Sequence, residues 1–414
     1  MTEPGLSDIA VVNTCGFIQS AKEEAIETIL ELGKLKEEGT IKKIIITGCL
    51  SERYRQEAAE LFPEADAVIG IGNQEDIIDV IDHVLANERV VSFEKKEKLP
   101  VTGGRIISTL PFFAYLKIAE GCDNCCSYCA IPKIRGRFRS VPMEDVIKEA
   151  EWLAENGVTE LIVIAQDTTR YGEDLYGASK LPELLEMLCG INGFKWIRVL
   201  YCYPERITDK LLDVIAKQPK IVKYLDIPIQ HCSGEVLKNM NRCGDQTQLK
   251  ALIAKIRDKV PEIVLRTTLI TGFPGETEEQ FNELAEFVKT IEFDRLGCFP
   301  YSQEDGTVAG KMDNQVDDDI KAHRADIIME QQQLIHRRKN EACMGKTFEA
   351  VVEGFDKWAE CYFGRTESDA PDIDGKVFFA GTDKLRVGQY VNIRITDTLD
   401  YDLIGEVITD ESAE

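Results

Sequence analysis

"EGCDNCCSYC", residues 120–129, places four cysteines within eight positions. Cys122 and Cys125 form one CxxC pair and Cys126 and Cys129 a second, a grouping that suggests zinc. A zinc site built from two such hooks normally separates them by a dozen or more residues, so that each makes its own turn and four sulfurs converge tetrahedrally. Here the hooks are contiguous. Cys125 and Cys126 are adjacent and point in different directions, so both can hardly face the ion that Cys122 and Cys129 face. The alternative grouping, CxxxCxxC with Cys122, Cys126 and Cys129 as ligands and Cys125 outside the set, carries no such strain. Three thiolates on a four-iron cluster leave one iron open to a cofactor, whereas a fourth would fill it.

The cysteine loop follows an apolar run at 114–119. Further strand candidates lie at 160–165, 196–202, 223–229, 263–270 and 295–300, with helical patterns between them. Six such units form a complete or partial (β/α)6 barrel, in which loops at the carboxyl ends of the strands hold the active site. Residues 317–345 read as one long helix closing this domain. The short strand-like segments beyond it, separated by turns, suggest a small β-barrel of the oligonucleotide-binding sort.

Before the barrel, "DIAVVNT" (8–14), "KKIIITG" (42–48) and "DAVIG" (66–70) each precede a helical pattern, at about 20–39, 52–61 and 74–86. The alternation predicts a small parallel α/β domain. Cys15 and Cys49 each stand immediately after a strand of this domain, where ligands of open α/β sheets gather. Buried small hydrophobes would read the same way. The charged stretch 88–112, with Pro and Gly-Gly, reads as a linker. The resulting division is 1–90, a linker over 91–112, then 113–344 and 345–414.

The 414 residues contain 13 cysteines, 49 basic and 73 acidic residues, and a net charge of −24. No apolar run approaches the roughly 18 residues needed to cross a bilayer, and "MTEPGLSD" has neither a basic nor an apolar leader segment, so a cytoplasmic protein with no membrane partner is expected. Cysteines in such a protein stay reduced, and some are expected to bind metal. The negative charge opposes phosphate binding and favours a cationic partner, so that tRNA is disfavoured against a basic protein.

CxxxCxxC after the first strand of a six-unit α/β barrel, with Tyr128 before the last cysteine, resembles the radical S-adenosylmethionine (SAM) superfamily. "VVNTCGFIQSAKEE", "ITGCLSER", "KIAEGCDNCCSYCAIPKIRGRFRS", "VIAQDTTRYGEDLYG", "LDIPIQHCSGEVLKNMNR" and "TTLITGFPGETEEQF" resemble its methylthiotransferases, and within them the RimO branch. The likeness covers nearly the whole chain, including the carboxyl-terminal barrel, which is similar to the family's TRAM domain.

That resemblance implies two four-iron clusters and SAM as cofactors. Cys122, Cys126 and Cys129 would hold the cluster that cleaves SAM to a deoxyadenosyl radical. Cys15 and Cys49 correspond to the second and third of three cysteines that hold an auxiliary cluster. The first, in a GCxKN-type motif after an earlier strand, has no counterpart here, so the α/β domain is expected to lack one strand and one helix. One SAM would methylate a sulfur at the auxiliary cluster, and the radical from a second would remove hydrogen from the substrate carbon. In the RimO branch that carbon is the β-carbon of an aspartate in small-subunit ribosomal protein number twelve. A low-potential reductant such as flavodoxin or ferredoxin is implied. The runner-up is the tRNA branch, which acts on an adenosine beside the anticodon. From Lys346 to Glu414 there are 7 Lys/Arg against 16 Asp/Glu, a sign that suits a basic protein better than phosphates.

Gln166 and Asp167 follow the second barrel strand, where SAM is contacted, and Gly272 and Pro274 in "TGFPGE" allow a close backbone approach, although turn geometry would also explain them. Lys133, Arg135, Arg137 and Arg139 form a basic run just after the cluster loop, available either to an anionic ligand or to internal pairing. His231 ends a strand on the active face and reads as structural, and the remaining cysteines show no metal spacing.

Overall fold

The computed structural model describes residues 7–96, 105–381 and 384–408. These fall into two compact units. The first comprises residues 1–102, 120–139 and 302–312, and the second 103–119, 140–301 and 313–414.

In the first unit, β1 (Ile9–Thr14), β2 (Lys43–Gly48), β3 (Ala67–Ile69) and β4 (Val90–Ser92) form a parallel sheet in that order. The consecutive isoleucines of β2 bury on both faces, as expected of a parallel strand covered by helices. Ile44 and Ile46 pack with Ala25, Ile29 and Leu32, whose spacing of four and three residues puts them on one face of α1 (Gln19–Glu37). Ile45 packs on the other side with Val80 and Val84 of α4 (Ile77–Leu85). Complete burial of a side chain such as Ile29 contributes roughly 1.5–3 kcal/mol.

Two details differ from the sequence reading. The helix expected over 52–61 is divided into α2 (Cys49–Tyr54) and α3 (Gln56–Leu61) by Arg55, whose φ of +43° no helix accommodates. The stretch read as linker from residue 88 contains β4, which is only three residues long and therefore shows no periodicity. Residues 97–104 of that stretch lie outside the described residues.

In the second unit six parallel strands form the partial barrel: β5 (Phe113–Lys117), β6 (Glu160–Ile164), β7 (Trp196–Val199), β8 (Ile221–Asp226), β9 (Val264–Thr271) and β10 (Arg295–Pro300), each beside the next. The helix at Glu278–Ile291 starts with a capping box between Thr277 and Gln280, and the long helix Asp318–Glu341 is capped by Asp317. The carboxyl-terminal strands β11 (Thr347–Asp356), β12 (Cys361–Thr366), β13 (Val377–Ala380), β14 (Tyr390–Leu399) and β15 (Asp402–Val407) close into a separate small barrel.

This small barrel is fixed to the six-stranded sheet by apolar packing and buried charge. Val351 and Ala370 join a cluster with Phe113, Ile162, Trp196 and Tyr224. Arg365 Nη2 donates to Glu160 Oε2 at 2.7 Å and Arg198 Nε donates to Glu160 Oε1 at 3.1 Å, all three side chains being buried. Arg295 pairs with Asp369 at 2.5 Å and Tyr224 donates to Asp374 at 2.6 Å. Aromatic residues that would otherwise suggest base stacking are divided: Phe379 is core, whereas Trp358 is almost fully exposed.

Candidate active site

The end of β1 and the end of β2 are in register, Thr14 opposite Gly48, so Cys15 and Cys49 leave the sheet side by side. Two glycines bring these exits together. A Cβ on Gly16 would lie 2.7 Å from Leu50 Cα and 2.9 Å from the Cys49 carbonyl carbon. Gly48 has φ +105°, and a Cβ there would lie 2.5 Å from the Thr14 carbonyl oxygen. The Thr14 hydroxyl donates to Thr47 O and accepts from Leu50 N–H, closing the junction. Cys15 is exposed and Cys49 nearly buried.

The loop of residues 120–129 belongs to this same unit. Cys125 stands in the left-handed region at φ +50° and is exposed, whereas its neighbour Cys126 is buried, and Cys122, Tyr128 and Cys129 are half-buried. Cys129 N–H donates to Cys126 O and Cys122 N–H to Gly136 O, so the backbone holds the three expected ligands in a compact turn. Among the described residues, no three His, Cys, Asp or Glu side chains are placed to hold a single metal ion.

Directly after the loop, α5 (Ile131–Arg135) packs Ala130 and Ile134 against Cys49. Its last residue, Arg135, directs Nη2 to Cys49 Sγ at 3.2 Å and Nη1 to Glu120 Oε2 at 3.4 Å. Burial works against the guanidinium charge, but Cys49 and Glu120 outweigh it and hold the Arg135 pKa above its ordinary value. The rest of the basic run is engaged within the chain: Lys133 donates to Gly306 O, Arg139 to Arg137 O, and the exposed Arg137 approaches Asp123 at 3.9 Å. Arg53, one turn after Cys49, donates to Gly16 O at 2.8 Å and to Glu304 Oε2 at 2.8 Å, and Lys22 reaches the same carboxylate at 3.0 Å. Sequence spacing marked neither Arg53 nor Glu304, because their partners are remote in the chain.

The other expected residues lie in the second unit. Gln166 follows β6, and its buried Oε1 has no hydrogen-bond partner among the described residues. Asp167 is buried, accepts from Thr169 and faces Arg206 at 3.7 Å. The Gly272 N–H donates to Glu276 Oε2, and a Cβ at Gly272, which has φ +67°, would overlap Lys321 of the long helix. Packing within the chain therefore explains that glycine, and Pro274 is buried in the same turn. His231 is fully buried; its Nδ1 accepts from Ser233 N–H, and its Nε2, 3.5 Å from Glu276, makes no hydrogen bond among the described residues. Burial pushes the Cys232 and Cys298 thiols up to about 12 and Cys189 to about 11, which favours the thiol over the thiolate a metal requires.

Residues 116–288 match the radical SAM superfamily, 344–408 the TRAM domain and 1–70 the uncharacterized protein family UPF0004. Over 400 residues the chain is 49% identical to the ribosomal protein uS12 methylthiotransferase RimO of Lachnoclostridium phytofermentans, covering 96% of this chain and 91% of the relative. The chain belongs to the RimO family of radical SAM methylthiotransferases. Its counterpart in Clostridioides difficile is 47% identical, over 97% of this chain and 90% of that one. As a RimO-family enzyme it is a transferase, and an iron–sulfur cluster and SAM follow from the family. Among solved structures, the radical SAM methyltransferase TsrM of Kitasatospora setae, with cobalamin and a [4Fe-4S] cluster bound, superposes with a TM-score of 0.54 at 13% identity, covering 71% of this chain and 63% of that one, which shows a shared fold. No helix among the described residues is long and apolar enough to cross a membrane.

Proposed function

We propose that this chain transfers a methylthio group to the β-carbon of an aspartate in ribosomal protein uS12. The observation that supports this most strongly is the identity of 45–49% along nearly the whole chain to relatives named ribosomal protein uS12 methylthiotransferase. Cys122, Cys126 and Cys129 would hold the cluster that binds SAM, and Cys15 and Cys49 would supply two of the three ligands of a second cluster, the third having no counterpart in this chain. When bound, these groups supply the radical that removes a hydrogen atom from an unactivated carbon, together with the methyl and sulfur to be transferred.

The residues of the chain prepare this reaction. The turn that buries Cys126 while exposing Cys125 presents three thiols and keeps a fourth from closing the open iron position. Gln166, whose buried Oε1 has no hydrogen-bond partner among the described residues, Asp167, Gly272, Pro274 and Tyr128 would contact SAM. We divide the chain into an α/β domain over 1–90, a barrel over 113–344 and a TRAM barrel from 345; the three family matches cover 1–70, 116–288 and 344–408. A net charge of −24 attracts a basic ribosomal protein and repels tRNA, and flavodoxin or ferredoxin would supply the electron in the cytoplasm.

Anaerobic reconstitution tests the assignment. Changing Cys122, Cys126 and Cys129 to alanine should remove about four irons and abolish reductive SAM cleavage. Survival of SAM cleavage in that variant would overturn it.

A further inference from the structure

Two residues past the end of β7, Tyr201 stands in the left-handed region at φ +62°. A bulky side chain rarely tolerates that backbone, and such strain persists only where neighbouring contacts enforce it. Here both backbone groups are pinned. Tyr201 N–H donates to Asp226 Oδ2 at 3.0 Å, and its carbonyl accepts from the N–H and the hydroxyl of Thr168, each at 3.1 Å. The side chain held in this way is 44% exposed, at the carboxyl end of the strands where such barrels bind their ligands.

The other oxygen of Asp226 accepts from Arg266 Nη1 at 3.0 Å, so one buried carboxylate ties Tyr201 to Arg266. Arg266 Nε is 3.7 Å from Asp374, which leaves Nη2 as the open edge of the guanidinium. Tyr115 of β5 lies on the inner face of the sheet with Ile162 and Tyr224, and its phenol feels that of Tyr201. Neither phenol hydroxyl, nor Arg266 Nη2, has a hydrogen-bond partner among the described residues. Partial burial raises both phenol pKa values, so each remains an O–H donor at neutral pH.

We propose that Tyr201, Tyr115 and Arg266 form a carboxylate subsite that seats the side chain of the substrate aspartate. This rests on the reading that the acceptor is an aspartate β-carbon in uS12. An ionised carboxylate is an acceptor-only group with two oxygens, and three open donors on one face of the barrel suit it. It is bonded directly to the β-carbon, so seating it fixes which hydrogen of that carbon is offered for removal. Asp226 and Asp374 neutralise the guanidinium, so long-range attraction adds little and binding depends on directed hydrogen bonds. Loss of one such donor should therefore be felt in full. Asparagine at the target position would turn an amide N–H2 toward these donors and leave part of the subsite unpaired.

The test uses the full chain, reconstituted anaerobically, with uS12 and with uS12 whose target aspartate is changed to asparagine. KM is measured for each form of uS12 and for SAM. Tyr201→Phe and Tyr115→Phe remove a hydroxyl and keep the ring. Each should raise KM for uS12 roughly tenfold, leave KM for SAM unchanged and narrow the preference for aspartate over asparagine by the same factor. Arg266→Gln should act in the same direction, but it also unpairs the buried Asp226, so the tyrosine variants decide. A rise in KM for SAM alone would overturn the assignment, because the carboxylate seated there would be that of SAM. Unchanged constants in both tyrosine variants would overturn it, as would an equal loss with the aspartate and asparagine substrates, which marks a structural role. If the parent chain cleaves SAM but leaves uS12 unmodified, the functional reading itself fails, and this inference with it.

Discussion

Cys125 and Cys126 are adjacent in the chain and opposite in environment, the first exposed on a backbone of φ +50°, the second only 9% exposed. A left-handed residue turns the chain sharply, so the two thiols do not share a direction. Cys125→Ser should therefore leave iron content and SAM cleavage close to wild type, whereas Cys126→Ser should abolish both. Iron analysis and deoxyadenosine quantification on the two single variants separate these outcomes. Equal damage from both would mean that all four thiols are ligands.

Glu160 is fully buried between Arg198 and Arg365. Burial pushes its carboxyl up, but the two guanidinium groups outweigh this and hold its pKa below the ordinary value. A depressed carboxylate contributes stability that is complete above the unfolded value of about 4.3 and is lost as pH falls below it through the folded value. Glu160→Gln leaves buried cations underpaired, a change that costs about 3–5 kcal/mol. Urea unfolding should show that loss at pH 7 and a smaller difference at pH 4.

At Gly48 two penalties coincide. Alanine there would carry the strain of φ +105° and place its Cβ 2.5 Å from the Thr14 carbonyl, whereas Gly39, at φ +78°, has open space around it. Gly39→Ala should cost roughly 1–2 kcal/mol from backbone strain alone. Gly48→Ala should cost clearly more and should separate the exits that carry Cys15 and Cys49. Thermal unfolding of the two variants compares them, and equal costs would show that the junction is loose.

Glu304 accepts from both Lys22 and Arg53 while being 3% exposed. Glu304→Gln weakens both pairs and should release residues 302–312, seen as faster amide hydrogen exchange confined to that segment and to the start of α1. Unchanged protection would show that bonds to the segment's backbone, such as Ala309 N–H to Ser127 O and Lys133 to Gly306 O, hold it without the carboxylate.

Much of this molecule is visible in local sequence pattern. The strand read at 263–270 is found at Val264–Thr271, and that at 295–300 spans Arg295–Pro300, because long β-branched or apolar runs carry a strong signal. Contacts between remote segments left no such trace. Arg135 lies 86 residues from Cys49, and Arg365 lies 205 from Glu160; only the folded chain brings them together. The break at Arg55 leaves no mark in the sequence, because its positive-φ backbone is set by tertiary structure rather than by a glycine or proline.

The central claim is the identity of the acceptor. Reconstituted enzyme, SAM and a low-potential reductant should be offered uS12 and tRNA in the same reaction, with mass spectrometry locating the methylthio increment. The expected result is a modified aspartate in uS12 and unmodified tRNA. A methylthio group on tRNA adenosine with uS12 unchanged would contradict the account.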